Sequence, residues 1–104
     1  MPGSPAGTLN QVGFQELTVS SIAVGLTRPT GERPRHAYIG VSGGAIRWLA
    51  IAGDGPSSTR GAYVGAGGSI DWTSMDNDYA GLLDNVKFIK VGPNDASLEV
   101  SYFG

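Results

Sequence analysis

Ala96-Ser-Leu-Glu-Val-Ser-Tyr102 alternates apolar and polar side chains, which is the pattern of a β-strand with one buried and one exposed face. Leu98, Val100 and Tyr102 are predicted to point into the protein, and the polar residues between them to point outward. The run at 86–91 is a second strand, and Gly92-Pro-Asn-Asp95 between them has the composition of a turn. The sequence therefore predicts an antiparallel hairpin at this end of the chain.

Strand patterns of the same kind continue toward the beginning of the chain. Residues 36–41 place Ala37, Ile39 and Val41 on one face, and the glycines after them predict a hairpin turn at 42–44. Residues 45–51 are apolar on both faces, so we expect a central strand there. Four further runs also read as strands, at 15–20, 21–26, 61–65 and 69–72. Residues 79–83 read as one short helical turn.

The glycine content supports a fold made of strands and tight turns. Seventeen of 104 residues are glycine, more than twice the usual share of about 7%, and glycine disfavours the interior of a helix by about 1 kcal/mol. Many short strands separated by turn signals are typical of sandwiches and small barrels. We predict an all-β fold, a small antiparallel β-sandwich or jelly-roll-like barrel of about seven to eight strands.

Length and composition limit the organisation and the partners. The 104 residues suit one domain, which we place at 12–104, after an extended arm at 1–11 that is rich in proline, glycine and serine. A net charge of −2 does not provide the basic face that nucleic acid requires. No apolar run reaches the length of a membrane helix, and the first residues lack a signal-peptide pattern. We therefore expect synthesis in the cytoplasm, with no nucleic-acid or membrane partner.

Candidate sites for chemistry are weak throughout the sequence. His36 is the only histidine, and no nucleophile elbow accompanies it. The acidic loop at 76–84 lacks the glutamate that ends an EF-hand, because position 87 is lysine. The glycines at 65–68 lack the lysine of a phosphate-binding loop and read as a hairpin turn. Asp71 and Glu99 lack the deep cleft that a glycosidase needs. We predict no catalytic residue, no cofactor and no metal site.

Aromatic side chains provide two further candidates. Trp48, Trp72 and Tyr63 could form stacking platforms for a sugar, although small sandwiches also use such residues as core. Phe103 points away from the predicted inner face of the last strand, so an exposed interface anchor is expected there.

Several of these motifs resemble a known family of proteins. Ala45-Ile46-Arg47-Trp48, the turn Asp54-Gly55-Pro56, and the ending Asn94-Asp95-Ala96-Ser97-Leu98-Glu99-Val100-Ser101-Tyr102-Phe103 are similar to small virion proteins encoded beside the head genes of tailed bacteriophages. The resemblance covers about residues 37 to 103. Residues 50–53 and the loop at 75–82 are longer here than in that family.

The resemblance implies a non-enzymatic structural virion protein on the capsid surface, and the cement or decoration type is the one we favour. Its partners would be the major capsid protein and other copies of itself, as a homotrimer or clustered on the lattice. The residues assigned to partner binding are Pro2, Pro5, Leu9, Arg28, Arg33, Arg35 and Phe103. The alternatives are a neck, tail or fibre-attachment subunit, and a carbohydrate-binding module.

Overall fold

The computed structural model describes residues 11–27, 34, 36–72 and 79–104. In this part of the chain there are eight strands and one helix. The predicted arm at 1–11 is one residue too long, because Gln11 is the first residue of β1. The strands are β1 (Gln11–Val19), β2 (Val24–Gly25), β3 (His36–Ser42), β4 (Ile46–Leu49), β5 (Ala62–Val64), β6 (Ser69–Trp72), β7 (Lys87–Lys90) and β8 (Ala96–Phe103), and the helix α1 (Tyr79–Asn85) lies between β6 and β7.

The strands form two antiparallel four-stranded sheets, as the predicted β-sandwich requires. The first sheet has the order β1-β8-β3-β6, and the second sheet has the order β2-β7-β4-β5. The pairing is nested: the first strand pairs with the eighth, the second with the seventh, the third with the sixth, and the fourth with the fifth. A long hairpin rolled across two sheets gives this arrangement, which is the jelly-roll topology.

The core lies between the two sheets and follows the predicted alternation. In β8 every second residue is buried, and the residues between them are partly or fully exposed. Ala37, Ile39 and Val41 of β3 point inward as expected. The helix contributes Leu83, which is completely buried. The remaining buried apolar residues are Val19, Ile46, Ile70, Val86, Phe88, Ala96, Leu98, Val100 and Tyr102.

The predicted hairpins are wrong, because the short turns connect different sheets. Strand β3 belongs to the first sheet and β4 to the second, so the turn at 42–44 carries the chain across the sandwich. The turns at 65–68 and 92–95 do the same between β5 and β6 and between β7 and β8. A hairpin turn and a turn between two sheets have the same local sequence chemistry. Which of the two forms depends on how the flanking strands pair with strands that are distant in sequence. The prediction that β4 is a central strand is confirmed, since it lies between β7 and β5.

Two glycines, one in the β3–β4 turn and one just before β5, allow the chain to make close approaches. Gly43 has a φ of 82°, which a residue with a Cβ adopts only with strain. Gly61 has a φ of 120°, and a Cβ there would lie 2.7 Å from the carbonyl oxygen of Trp48. Both positions therefore require glycine, which accounts for part of the unusual glycine content.

One polar contact joins the edge strand of the first sheet to its interior. The Tyr102 hydroxyl donates a hydrogen bond to Gln15 Oε1 at 3.2 Å, and the same oxygen accepts the backbone N–H of Thr27 at 3.1 Å. Gln15 therefore links β1, β8 and the segment after β2. Burial raises the pKa of the Tyr102 hydroxyl to about 12, because the phenolate would lose its solvation.

We expect Leu98→Ala to reduce the free energy of unfolding by about 2–5 kcal/mol. Leu98 is completely buried and lies opposite Leu17 of β1 and Val41 of β3, so its loss leaves a cavity at the centre of the first sheet. Chemical denaturation measures the change. The matched control is Ser97→Ala, an exposed neighbour, which should change stability by less than about 0.5 kcal/mol; equal losses would contradict this account of the core.

We expect stability to fall between about pH 10 and pH 12. The unfolded chain releases the Tyr102 proton near the ordinary tyrosine pKa of 10.0, whereas the folded chain retains it to about 12. Unfolding is therefore favoured by at most about 1.4 kcal/mol per pH unit across this window. Denaturation curves at pH 8 and in the alkaline window test this. The free energy of unfolding of Tyr102→Phe should fall less than that of the wild type between pH 8 and the alkaline window. An equal fall in both proteins would refute the role of Tyr102.

Candidate functional site

The outer face of the first sheet carries a row of exposed aromatic side chains. Phe14 of β1 and Tyr38 of β3 both lie opposite Ser101 of the central strand β8. Residues opposite each other in an antiparallel pair project to the same side of the sheet, so the small serine lies between the two rings. Phe14 is 56% exposed and Tyr38 is 45% exposed.

A second pair of rings lies at one end of this row. His36 of β3 lies opposite Phe103 of β8, and their ring centroids are 5.4 Å apart in an edge-to-face arrangement. The His36 Nε2 atom lies 2.8 Å from Asp71 Oδ1 of β6, which fixes the orientation of the imidazole. We call the four residues Phe14, His36, Tyr38 and Phe103 the aromatic face.

The strand register places negative charge beside the aromatic face. Glu16 of β1 and Glu99 of β8 lie directly opposite each other, and both are exposed. Like charges in this position repel. Among the described residues of the first sheet there is no lysine or arginine to compensate them. The outer face of the first sheet is therefore aromatic and acidic.

The outer face of the second sheet is basic. Because Ile46 and Phe88 point into the core, the neighbouring Arg47 of β4 and Lys87 of β7 point outward. Tyr63 of β5 lies opposite Arg47 and is 57% exposed. The Arg47 guanidinium lies 5.4 Å from the centre of the Tyr63 ring, a cation–π contact.

Two arginines organise the loop between β4 and β5 beside this basic face. Arg47 donates hydrogen bonds to the carbonyl oxygens of Ser58 and Gly61, at 3.1 and 2.8 Å. Arg60 donates to Asp54 Oδ1 at 2.8 Å, and the Gly55 backbone N–H donates to the same atom. These two hydrogen bonds, of which the one from Arg60 has the larger effect and the one from Gly55 the smaller, lower the pKa of Asp54 to about 2.

We expect the Gly55 amide resonance to titrate with a midpoint near pH 2, because Asp54 remains ionised to that pH. The carboxylate contacts are formed above the ordinary aspartate pKa of 3.8 and are lost as the pH falls through about 2. NMR measures the chemical shift. Asp54→Asn should abolish the transition, and Asp95→Asn, which affects a different ion pair, should leave it. A midpoint near pH 4 in the wild type would be inconsistent with these contacts.

The two tryptophans predicted as sugar platforms contact each other between the sheets. Trp48 lies opposite buried Phe88 and Trp72 opposite buried Ala37, so both indoles point inward. Their ring centroids are 5.3 Å apart in an edge-to-face contact. Both are partly buried, and each covers part of the other. Tyr63 lies on the opposite side of the second sheet from Trp48, so the three residues do not form one platform.

Among the residues assigned to partner binding, Phe103 lies within the described part of the chain. It points to the outer face as predicted, but it is partly buried beside His36 rather than fully exposed. The others lie outside the described residues: Pro2, Pro5, Leu9, Arg28, Arg33 and Arg35. So do Asp76 and Asp78 of the acidic loop. In the described ranges, no three histidine or acidic residues are grouped to hold a metal ion.

No helix within the described residues is long and apolar enough to cross a membrane. Comparison with known proteins finds no matching family model, no matching curated protein and no matching solved structure.

Sequence reasoning missed the exposed position of Phe14 and the pairing of Glu16 with Glu99. The alternation in residues 36–41 predicts that His36 and Tyr38 lie on the face opposite Ala37, Ile39 and Val41, and this is confirmed. A bulge between Gln11 and Gly13 shifts the register of β1, so alternation read from its first residue fails. Pairing β1 with the last strand would have revealed the acidic pair, since residue 16 then faces residue 99.

Proposed function

We propose that this chain is a non-enzymatic structural virion protein of a tailed bacteriophage. Its role is that of a cement or decoration protein, made in the host cytoplasm and docked on the capsid surface. It binds the major capsid protein lattice and neighbouring copies of itself. The family resemblance over residues 37 to 103 suggests the setting, and the surface of the folded domain supports a role in protein binding.

The aromatic face is the observation that carries the proposal. Flat sheet surfaces of soluble proteins seldom present neighbouring aromatic rings to water, and such patches are characteristic of interaction sites. Phe14 and Tyr38 are half-exposed on a rigid sheet, so little conformational entropy is lost when a partner covers them. Aromatic anchors of this kind supply much of the binding energy in protein interfaces.

The fold is compatible with this role, although it does not specify it. Jelly rolls form the domains of viral capsids, lectins and cupins, and one fold supports many functions. A cupin-like enzyme would hold a metal between its sheets. In the described residues the space between the sheets is filled by apolar side chains such as Ile39, Phe88 and Val100.

Attachment to the capsid is assigned to the residues before β1. Pro2, Pro5 and Leu9 lie in a ten-residue segment that leads into Gln11, at the edge of the first sheet. Arg28, Arg33 and Arg35, which lie between β2 and β3 in the sequence, are assigned to partner binding as well. Many copies, each bound weakly to a repeating lattice, stabilise the shell through avidity.

We expect deletion of residues 1–10 to leave the domain folded and to remove it from particles. The deletion stops before Gln11 because that residue is part of β1. Purified particles of the virus that carries the gene, stripped and then incubated with each variant, give the bound amount by gel densitometry. Phe14→Ser with Tyr38→Ser should also reduce the bound amount, because it removes the exposed rings of the aromatic face.

The matched control is Ile22→Ser, which removes an exposed apolar side chain from the β1–β2 turn and should bind as the wild type does. Full occupancy by the deletion variant would refute the proposed attachment. A copy number close to that of the major capsid protein supports a cement role, whereas far fewer copies would indicate a neck, tail or fibre-attachment subunit. Absence of the chain from particles would refute the virion proposal itself.

A further inference from the structure

Several charged side chains in the described part of the chain make close contacts with a charged or titratable group within it. Asp84 makes an interaction, and three contacts join other groups at 2.8 to 3.0 Å: Asp54 with Arg60, Asp95 with Lys90, and Asp71 with His36. Four charges take part in none of these close contacts, although Lys87 lies near enough to Asp54 to help lower the pKa of that carboxyl. They are Glu16, Glu99, Arg47 and Lys87.

These four charges are sorted by sign onto opposite sides of the sandwich. Glu16 and Glu99 lie on the outer face of the first sheet, and Arg47 and Lys87 on the outer face of the second. Arg47 donates its hydrogen bonds to carbonyl oxygens, which leaves its positive charge uncompensated. The described strands thus present one acidic and one basic outer face.

We infer that the chain associates head to tail, with the outer face of the first sheet of one copy against the outer face of the second sheet of the next. The occupant of the aromatic, acidic face is therefore a second copy of this chain. The charge complementarity is present within the described part of one chain, with the carboxylates of Glu16 and Glu99 on one side and the cations of Arg47 and Lys87 on the other.

Each of the two faces also carries apolar side chains beside its charges. Phe14 is two residues from Glu16 on the same side of β1, so the aromatic row borders the acidic pair. On the second sheet, Arg47 lies between two neighbours on the same face. Tyr63 is its partner on β5, and Ile89 is its partner on β7. Contact between the faces covers the exposed rings and brings cations to the repelling Glu16–Glu99 pair.

The positions of the two faces determine the form of the assembly. An interface between two different surfaces leaves one face of each kind free after every addition. Because the two faces lie on opposite sides of a two-layer sandwich, each bound copy presents a free face to the next copy, and the assembly grows as an open filament. We therefore expect growth with concentration rather than a single closed oligomer in the isolated protein.

The test uses the purified chain alone and sedimentation equilibrium. The wild type should show a weight-average mass that rises with protein concentration at about 0.1 M salt, where the screening length is about 10 Å, and falls toward the monomer at about 1 M, where it is about 3 Å. Glu16→Gln with Glu99→Gln should weaken association by about tenfold. The same variant should be as stable as the wild type or more stable to heat, because it removes the repulsion within the monomer.

A mixing experiment identifies the two faces separately. Glu16→Lys with Glu99→Lys disables the acidic face, and Lys87→Glu disables the basic face; Arg47 is retained because it holds the β4–β5 loop. Each variant alone should remain monomeric. Mixed together, they should form a one-to-one complex that grows no further, because one intact acidic face meets one intact basic face.

A wild type that is monomeric at all concentrations in low salt would overturn the inference, and so would a mixture that remains monomeric. Association of Lys87→Glu equal to that of the wild type would overturn it as well. The inference does not depend on the virion assignment. A chain that associates in this way but fails to bind particles would refute the proposed function and leave the head-to-tail contact established.

Discussion

The pairing of the last strand with the first and the third is the constraint on which the rest of the structure depends. Strand β8 lies between β1 and β3, and its buried residues Leu98, Val100 and Tyr102 form the centre of the inner face. The first sheet therefore cannot form completely until β8 has paired with both β1 and β3. Contacts of such high sequence separation form slowly, since the loop they close must be ordered first.

The nested pairing also brings together the aromatic face from distant parts of the chain. Phe14, Tyr38 and Ser101 are each separated by more than twenty residues in sequence, yet they form one row across the sheet. The Glu16–Glu99 pair arises from the same register. This surface therefore depends on the topology as a whole and has no local sequence motif.

The sequence predicted the features that depend on local alternation. The inner faces of β3 and β8 follow from apolar residues at every second position, and the central position of β4 follows from apolar residues on both of its faces. The turns at 42–44, 65–68 and 92–95 were placed correctly, but their connections were not, because glycine permits a sheet crossing as readily as a hairpin. Helix α1 extends to Asn85, beyond the predicted turn, and its Leu83 is buried in the core. For the candidate site, alternation separates His36 and Tyr38 from the apolar face of their strand and points Phe103 away from the inner face, whereas the position of Phe14 follows from the observed register.

The antiparallel arrangement of β1 and β8 has a mechanical consequence. Gln11 and Phe103 are partners at the same end of the pair, so tension that pulls the residues before β1 away from those after β8 loads the interstrand hydrogen bonds one at a time. Such unzipping requires little force, whereas shear along the strands would load all of them together. A load that must be resisted is therefore better transmitted across the broad surfaces of the sheets than along the polypeptide through its two terminal strands.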